Sequence, residues 1–263
     1  MPPDTVLVAS EVSVRFGGVQ ALQSVSMPIE AGKVSGLIGP NGAGKTTFFD
    51  VLTGLRKPST GRVTLAGSDI THLGTHRRAR LGIARTFQRL ELFWSLSVEE
   101  NVLVGAESTL QWWRPSKKVT GITETDRPPT EATSREVTHS LLERVGLGDL
   151  KGVQVSSLPT GQARLVELAR ALATSPKVLL LDEPSSGLND EESQTLGDLL
   201  TDLAKSGMAV LLVEHDMELL MKVSDTVCVL DAGVVIASGT PDEVRKQAAV
   251  RSAYLGDLEP VAK

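Results

Sequence analysis

Apolar and polar residues follow two different patterns along this chain. In residues 12–16 and 63–65 they alternate, with glycines close by, and a period of two predicts short strands of an antiparallel layer. Residues 178–181 and 210–213 are uninterrupted apolar runs, which are typical of strands buried on both faces of a parallel sheet. The two patterns together predict an α/β fold.

Helices are predicted between and after these strands. Apolar residues recur at helical spacing in 165–172 and 196–203, so each helix should pack one face on the sheet. Residues 240–243 combine an N-cap, a proline and a glutamate three residues after the cap, which predicts a final helix that ends near Tyr254. Periodicity is lost from 105 to 131, where we expect a surface excursion within a mostly helical segment.

The composition narrows the class of protein. Of 263 residues, 41% are hydrophobic and only 3% are aromatic, so the chain can build one sizeable core from aliphatic side chains. With a net charge of −5, the chain lacks the positive field that attracts the phosphate backbone of a nucleic acid, and we expect no nucleic acid partner. The single cysteine, Cys228, lies in an apolar run, which indicates core packing and fits a reducing compartment. We find no signal peptide and no apolar run of about 18 residues, and we expect a cytosolic chain.

A glycine-rich loop follows a short apolar strand predicted at 34–38. Its sequence satisfies G-x-x-x-x-G-K-[ST] in the strand-turn-helix setting that such a loop requires. Backbone N–H groups can surround phosphate oxygens, the lysine adds positive charge at the β- and γ-phosphates, and the next hydroxyl can ligate Mg²⁺. The predicted ATP-binding residues are Gly39, Pro40, Asn41, Gly42, Ala43, Gly44, Lys45, Thr46 and Thr47, with Thr46 as the Mg²⁺ ligand.

Charged residues end both long apolar runs, at the strand ends where open α/β sheets bind ligands. Asp182 is placed to hold Mg²⁺ through water, and Glu183 to orient or deprotonate the attacking water. Two adjacent carboxylates at a buried strand end are costly without a cation, so a metal and phosphate site explains them better than a structural role. His215 is either a hydrogen-bond donor to the γ-phosphate or a satisfied structural residue. Gln88 carries no signal of its own.

A second glycine-containing element, residues 158–162, leads from a loop into the helix predicted at 165–172. A helix N-terminus of this kind is another potential anion site. Because the first loop already holds one triphosphate, a second anion site on one small domain suggests that ATP is shared between two copies.

The order of these elements resembles the nucleotide-binding domain of ABC transporters over nearly the whole chain. The elements are the loop 39–46, Gln88, the segment 158–162, the pair Asp182-Glu183, the segment 186–189 and His215. The resemblance implies that Phe16 stacks on adenine and that Gln88 touches Mg²⁺ and senses the membrane subunit. It also implies that Glu183 is the catalytic base and His215 the γ-phosphate switch.

The resemblance further implies that the segment 158–162 completes the ATP site of an opposite subunit, in a head-to-tail dimer that holds two ATP molecules. The residues concerned are Leu158, Thr160, Gly161 and Gln162. The sequence departs from the usual L-S-G-G-Q, because Pro159 and Thr160 occupy its second and third places. The serine that usually contacts the γ-phosphate is therefore absent from this sequence.

Shorter phrases at 16–18, 82–88, 214–217 and 253–256 resemble the ATPases of branched-chain amino-acid importers. The implied organisation is one ABC ATPase domain, residues 1–263, with a core of 1–88 and 158–240, a helical subdomain of 89–157, and a C-terminal helix and tail of 241–263. The implied partners are a second ATPase subunit, identical or paralogous, integral membrane permease subunits and, indirectly, a substrate-binding protein. The implied location is the cytoplasmic face of the cell membrane.

Two other functions are open at this stage. The ATPases of lipid-type exporters resemble the same subfamily, and the ATP site cannot separate import from export because the substrate never touches this chain. A soluble ABC protein of DNA repair or translation is less favoured, because the chain has one phosphate loop, no long heptad run and an acidic balance.

Overall fold

The computed structural model describes residues 5–112, 131–247 and 250. Its strands are β1 (Thr5–Phe16), β2 (Val19–Glu30), β3 (Val34–Ile38), β4 (Thr60–Leu65), β5 (Ser68–Asp69), β6 (Ile83–Arg85), β7 (Val178–Asp182), β8 (Ala209–Val213), β9 (Thr226–Asp231) and β10 (Val234–Gly239). Its α-helices are α1 (Lys45–Thr53), α2 (Thr75–Arg80), α3 (Val98–Trp112), α4 (Glu131–Arg144), α5 (Thr160–Ala173), α6 (Asp190–Lys205), α7 (Met217–Val223) and α8 (Pro241–Lys246).

The strands form two sheets. The larger sheet has the order β10-β9-β3-β8-β7-β6, in which β9 to β6 run parallel and β10 pairs antiparallel with β9 at the edge. The smaller sheet is antiparallel, with the order β2-β1-β4-β5. The predicted parallel sheet and the predicted antiparallel layer are therefore both present.

The central parallel strands are buried because each face of the sheet has its own hydrophobic core. Leu179 and Leu181 of β7 contribute to one core, together with α5, α6 and α7. Val178 and Leu180 contribute to the other, which also contains α1 and the antiparallel sheet, because successive side chains of a strand point to opposite faces. Cys228 lies in this second core as predicted, and burial raises the pKa of its thiol to about 12.

The last helix begins as predicted but ends earlier. Thr240 and Glu243 form a reciprocal capping box, and Pro241 is the first helical residue. The helix ends at Lys246 rather than near Tyr254, because Gln247 has extended backbone angles (φ −74°, ψ 129°). Of its six side chains only that of Val244 is buried, and Val250, the next described residue after Gln247, is again helical and buried. Residues 251–263 lie outside the described part of the chain.

The predicted excursion starts too early in the sequence. Residues 105–112 belong to α3 and Glu131 begins α4, whereas the other residues of the excursion, 113–130, lie outside the described part of the chain. A Cβ at Gly105 would clash with the carbonyl oxygen of Arg170 on α5. The glycine thus lets α3 and α5 approach closely, and this contact interrupts the hydrophobic period that the prediction relied on.

α3, α4 and α5 pack against one another. The first two lie within the segment 89–157 that was predicted to form a helical subdomain, and α5 follows it directly. The boundaries of core and subdomain remain a prediction. Within the described residues, every helix is too short or too polar to cross a bilayer.

Candidate functional site

The phosphate loop, residues 39–46, connects the end of β3 to the start of α1. Gly44 is the N-cap of α1 with φ 106°, and Gly42 has φ 82°, so both adopt the left-handed conformation that glycine tolerates. A Cβ at Gly44 would lie 2.7 Å from the carbonyl oxygen of Ala21. The loop therefore aims the N-terminus of a nine-residue helix at the end of a buried strand, which is the arrangement that binds phosphate.

Lys45 lies across this loop. Its ammonium group donates hydrogen bonds to the carbonyl oxygens of Gly39 and Pro40, the latter at 3.1 Å. Burial lowers the pKa of Lys45, and the nearby carboxylates of Glu183 and Asp182 act in the opposite direction. The fold thus brings the lysine of the loop within electrostatic reach of both acids at the end of β7.

Asp182 is the last residue of β7 and is 5% exposed. Its Oδ2 lies 3.2 Å from Nη2 of Arg85, and its backbone N–H donates to Oγ1 of Thr86 at 3.3 Å. Burial raises the pKa of Asp182, and the guanidinium of Arg85 is the largest influence in the opposite direction. This acid is a buried carboxylate at a strand end, as the sequence suggested.

The side chain of Glu183 contacts the two other predicted catalytic residues. Its Oε1 lies 2.8 Å from Nε2 of His215 and accepts a hydrogen bond from Nε2 of Gln88 at 3.3 Å. Its backbone has φ 53°, in the left-handed region, and its N–H donates to the carbonyl oxygen of Val213 at 2.8 Å. Side chains that follow β6, β7 and β8 therefore meet at one carboxylate.

Glu214 holds the turn that carries His215. It is 3% exposed and accepts hydrogen bonds from the backbone N–H groups of Ser185, at 2.7 Å, and of His215, at 3.2 Å. Burial raises the pKa of this carboxyl group. The sequence marked Glu214 only as a charged strand end, whereas the structure shows that it ties the residues after β7 to those after β8.

The segment 158–162 forms the start of α5. Pro159 is the N-cap, no side chain caps the helix, and Thr160 is the first helical residue, with an exposed side chain. A Cβ at Gly161 would lie 2.6 Å from the carbonyl oxygen of Gly187 and 2.8 Å from Cδ2 of Leu188. This segment therefore packs against the turn 186–189, and glycine is needed at 161 for the approach.

Arg164, one turn into α5, connects three predicted elements. Its Nε donates to the carbonyl oxygen of Ser186 at 3.0 Å, and its Nη2 donates to the carbonyl oxygen of Gln88 at 2.9 Å. The same side chain therefore links the start of α5, the segment around Gln88 and the turn 186–189. Sequence reasoning missed this role, because arginine on an amphipathic helix is most simply a solvated residue.

Phe16 ends β1 and is 42% exposed. The guanidinium carbon of Arg56 lies 4.1 Å from the centroid of its ring, within the range of a cation–π contact. Adenine stacking on Phe16 would use the other face of the ring.

A groove of about 540 Å³, which we call the outer groove, opens beside Phe87, the chain neighbour of Gln88. One wall comes from the end of α1, α2 and β6, and the other from α3 and α5. Its lining includes Phe87 and the exposed apolar side chains of Leu55 and Phe93 (55% and 48% exposed). Exposed apolar residues grouped along one groove mark a surface suited to a protein partner.

The residues present fit a Mg²⁺ ion bound together with phosphate. The candidate ligands are the hydroxyl of Thr46, which is exposed, and the carboxylate of Asp182, which is buried next to the phosphate loop. In the described residues no group of three or more His, Cys, Asp and Glu side chains forms a metal cage. When phosphate oxygens also bind Mg²⁺, the protein usually supplies only one or two oxygen ligands.

Comparison with known proteins places these observations in a family. The family model described as ABC transporter matches residues 22–186, and a second model, described as branched-chain amino acid ATP-binding cassette transporter, matches residues 234–259. The high-affinity branched-chain amino acid transport ATP-binding protein LivG of Salmonella typhimurium is 40% identical over 256 residues, which cover 96% of this chain and 98% of LivG. The corresponding protein BraF of Pseudomonas aeruginosa is 38% identical over 254 residues, with the same coverage.

Two further comparisons extend this picture. The lipopolysaccharide export system ATP-binding protein LptB of Haemophilus influenzae is 31% identical over 253 residues, which cover 96% of this chain and 98% of LptB. Among solved structures, a nucleotide-free ATP-binding cassette from an ABC transporter has a TM-score of 0.81 and 29% identity, with 95% of this chain and 98% of that chain covered. The fold class predicted from the sequence, an α/β ABC ATPase, is confirmed.

Proposed function

Because this chain belongs to the ABC transporter family and is an ATPase coupled to transport, we propose that it powers the uptake of branched-chain or similar apolar amino acids. The observation that carries the substrate class is the 40% identity to LivG over nearly the full length of both chains. The match of residues 234–259 to the branched-chain model supports the same substrate class.

ATP binds with its β- and γ-phosphates in the phosphate loop. The N–H groups at the start of α1 and the ammonium group of Lys45 surround the phosphate oxygens, and Thr47 extends the cradle into the helix. Adenine stacks on the face of Phe16 opposite Arg56. The electrostatic influence of Glu183 and Asp182 on Lys45 supports hydrolysis at the same site.

Glu183 takes a proton from the water whose oxygen bonds to the γ-phosphorus, while the bond from that phosphorus to the bridging oxygen breaks and ADP leaves. His215 and Gln88 both contact Oε1 of Glu183, so they fix the orientation of the carboxylate and, with it, the position of the water. His215 contacts the γ-phosphate as well, and is held for this by the hydrogen bond from its N–H to Glu214.

Mg²⁺ would be held by the hydroxyl of Thr46, the amide oxygen of Gln88 and, through a water molecule, the carboxylate of Asp182. The ion, when bound, offsets the negative charge of the phosphates. The place of Asp182 at the end of β7, within electrostatic reach of Lys45 in the phosphate loop, supports this assignment.

Two copies of the ATPase, or this chain and a paralogue, pair head to tail. Leu158, Thr160, Gly161 and Gln162 of one subunit complete the ATP site of the other, because an exposed helix N-terminus suits a phosphate that approaches from outside.

The outer groove receives a segment of an integral permease subunit. Its exposed apolar side chains suit such a contact, and Phe87 places the groove one residue away from Gln88. This assembly puts the subunit at the cytoplasmic face of the membrane, with a substrate-binding protein acting on the opposite side of the permease.

Uptake of labelled leucine in cells with and without this gene tests the substrate class. We expect uptake to fall on deletion and to return with the wild-type gene, but not with Glu183→Gln. If no apolar amino acid shows a difference, the substrate assignment is wrong, although the ATPase assignment stands.

Export of a lipid is the second candidate, because LptB shares 31% identity over nearly the whole chain. The higher identity to LivG and the C-terminal match favour import. Purification of the intact transporter with its permease subunits decides between them. A lipid that co-purifies supports export, whereas a bound amino acid supports import.

A further inference from the structure

One buried guanidinium joins Asp182, the proposed Mg²⁺ ligand, to α1, the helix that follows the phosphate loop. Nη2 of Arg85 lies 3.2 Å from Oδ2 of Asp182, and Nη1 lies 2.7 Å from Oδ1 of Asp50 on α1. The side chain of Arg85 is 6% exposed, that of Asp182 7% and that of Asp50 29%. A buried arginine therefore uses its two terminal nitrogens on two different acids.

Aromatic rings flank the same guanidinium. Its central carbon lies 4.8 Å from the ring centroid of Phe87 and 5.4 Å from that of Phe49 on α1. These distances are within the range of cation–π contacts, and the rings restrict the guanidinium to the position from which it reaches both acids. The planar fork of arginine suits this bridge, whereas a lysine ammonium is a single point of charge.

Burying these ion pairs is energetically unfavourable if their only role is to stabilise the fold. Nε of Arg85 is buried and has no hydrogen-bond partner among the described residues. Well-packed apolar residues often replace buried ion pairs without loss of stability. A buried arginine in contact with a proposed metal ligand therefore indicates a role in the proposed Mg²⁺ site.

We propose that Arg85 is a positioning residue that orients the carboxylate of Asp182 for the nucleotide-bound cation, and that Asp50 anchors Arg85 for this task. The inference rests on the proposed Mg²⁺ site. Arg85 does not contact the reacting atoms in this proposal, because it acts through Asp182. The consequence is a specific one: Arg85 affects how tightly Mg²⁺ binds more than how tightly ATP binds.

The test compares Arg85→Gln, Arg85→Lys and Asp50→Asn with the wild type. A fluorescent ATP analogue is titrated first in EDTA and then with increasing Mg²⁺ at fixed nucleotide, and thermal unfolding is followed without nucleotide. Arg62→Gln is the matched control, because it removes the same charge from an exposed position on β4.

We expect Arg85→Gln to leave the affinity for the analogue in EDTA unchanged and to raise the Mg²⁺ midpoint about tenfold, which corresponds to about 1.4 kcal/mol. Arg85→Lys should show a smaller increase, since one ion pair can remain. Asp50→Asn should also raise the midpoint. The double variant Arg85→Gln/Asp50→Asn should match Arg85→Gln alone, because Asp50 acts only through Arg85. Arg62→Gln should match the wild type.

Three outcomes would overturn the proposal. A lower unfolding temperature in Arg85→Gln with an unchanged Mg²⁺ midpoint would show a structural role only. If Arg85→Gln does not fold, an unchanged midpoint in both Arg85→Lys and Asp50→Asn contradicts the proposal, since both variants disturb the bridge and keep a positive charge at position 85. A wild type that binds the analogue without any effect of Mg²⁺ would instead contradict the cation site itself.

Discussion

Glu183 is the residue that we propose as the catalytic base. It receives contacts from Gln88 and His215 at one oxygen atom, Oε1. These two contacts fix the orientation of the carboxylate, which a base needs in order to accept a proton from the attacking water.

Glu183→Gln is expected to keep ATP binding and to reduce hydrolysis by about 100-fold or more, because the amide has the shape of the carboxylate but cannot accept the proton. The variant should also accumulate an ATP-dependent dimer. Steady-state ATPase assays and light scattering with ATP and Mg²⁺ measure the two effects. Glu218→Gln, an exposed acid on α7, is the control. Hydrolysis at the wild-type rate would move the base to another residue.

The first turn of α5 is the element that should recognise a second subunit. Capping does not explain Thr160, because the N-cap is Pro159 and no side chain caps this helix. Pro159 has no N–H to offer a phosphate, so the exposed hydroxyl of Thr160 is the nearest side-chain donor.

Thr160→Ala is therefore expected to weaken ATP-driven dimerisation about tenfold or more, since a hydrogen bond to a charged acceptor contributes about 1.5–3 kcal/mol. Thr160→Ser should behave like the wild type. Sedimentation with ATP measures the dimer, while nucleotide titration and thermal unfolding should show almost no change. An alanine variant that dimerises normally would assign the contact to the backbone of Gly161.

Elements were predictable where a local pattern determines them. β7 and β8 are buried on both faces, so their apolar runs were sufficient evidence. β6 was not recognised, because it has three residues and only Ile83 is fully buried.

The site was predictable to the same extent. The phosphate loop and the acids after β7 follow from short motifs. The bridge from Arg85 to Asp182 joins residues 97 positions apart, and only the pairing of β6 with β7 brings them together.

For the whole molecule, the outer groove and the ATP site share one segment. Phe87 lines the groove, and Gln88 contacts Glu183, so a partner in the groove would lie directly beside the proposed catalytic residues. A displacement of about one ångström at this segment would be enough to change the rate of hydrolysis.

Cysteine labelling can locate the permease contact, since the single native cysteine, Cys228, is buried. We expect Leu55→Cys to react rapidly with a maleimide in the isolated subunit and slowly in the assembled transporter. Val19→Cys, at a 68% exposed position on β2, should react equally in both. Equal reaction of both variants in the assembly would place the permease elsewhere.

The left-handed backbone of Glu183 has a consequence for how this protein can evolve. A side chain at φ 53° costs about 1–3 kcal/mol relative to an unstrained backbone, and glycine avoids that cost. Glu183→Gly should therefore resist heat better than the wild type while losing hydrolysis, a difference that calorimetry can measure. Laboratory selection for heat resistance alone would favour glycine at this position, whereas selection for transport retains glutamate. Stability and activity thus place opposite demands on one residue.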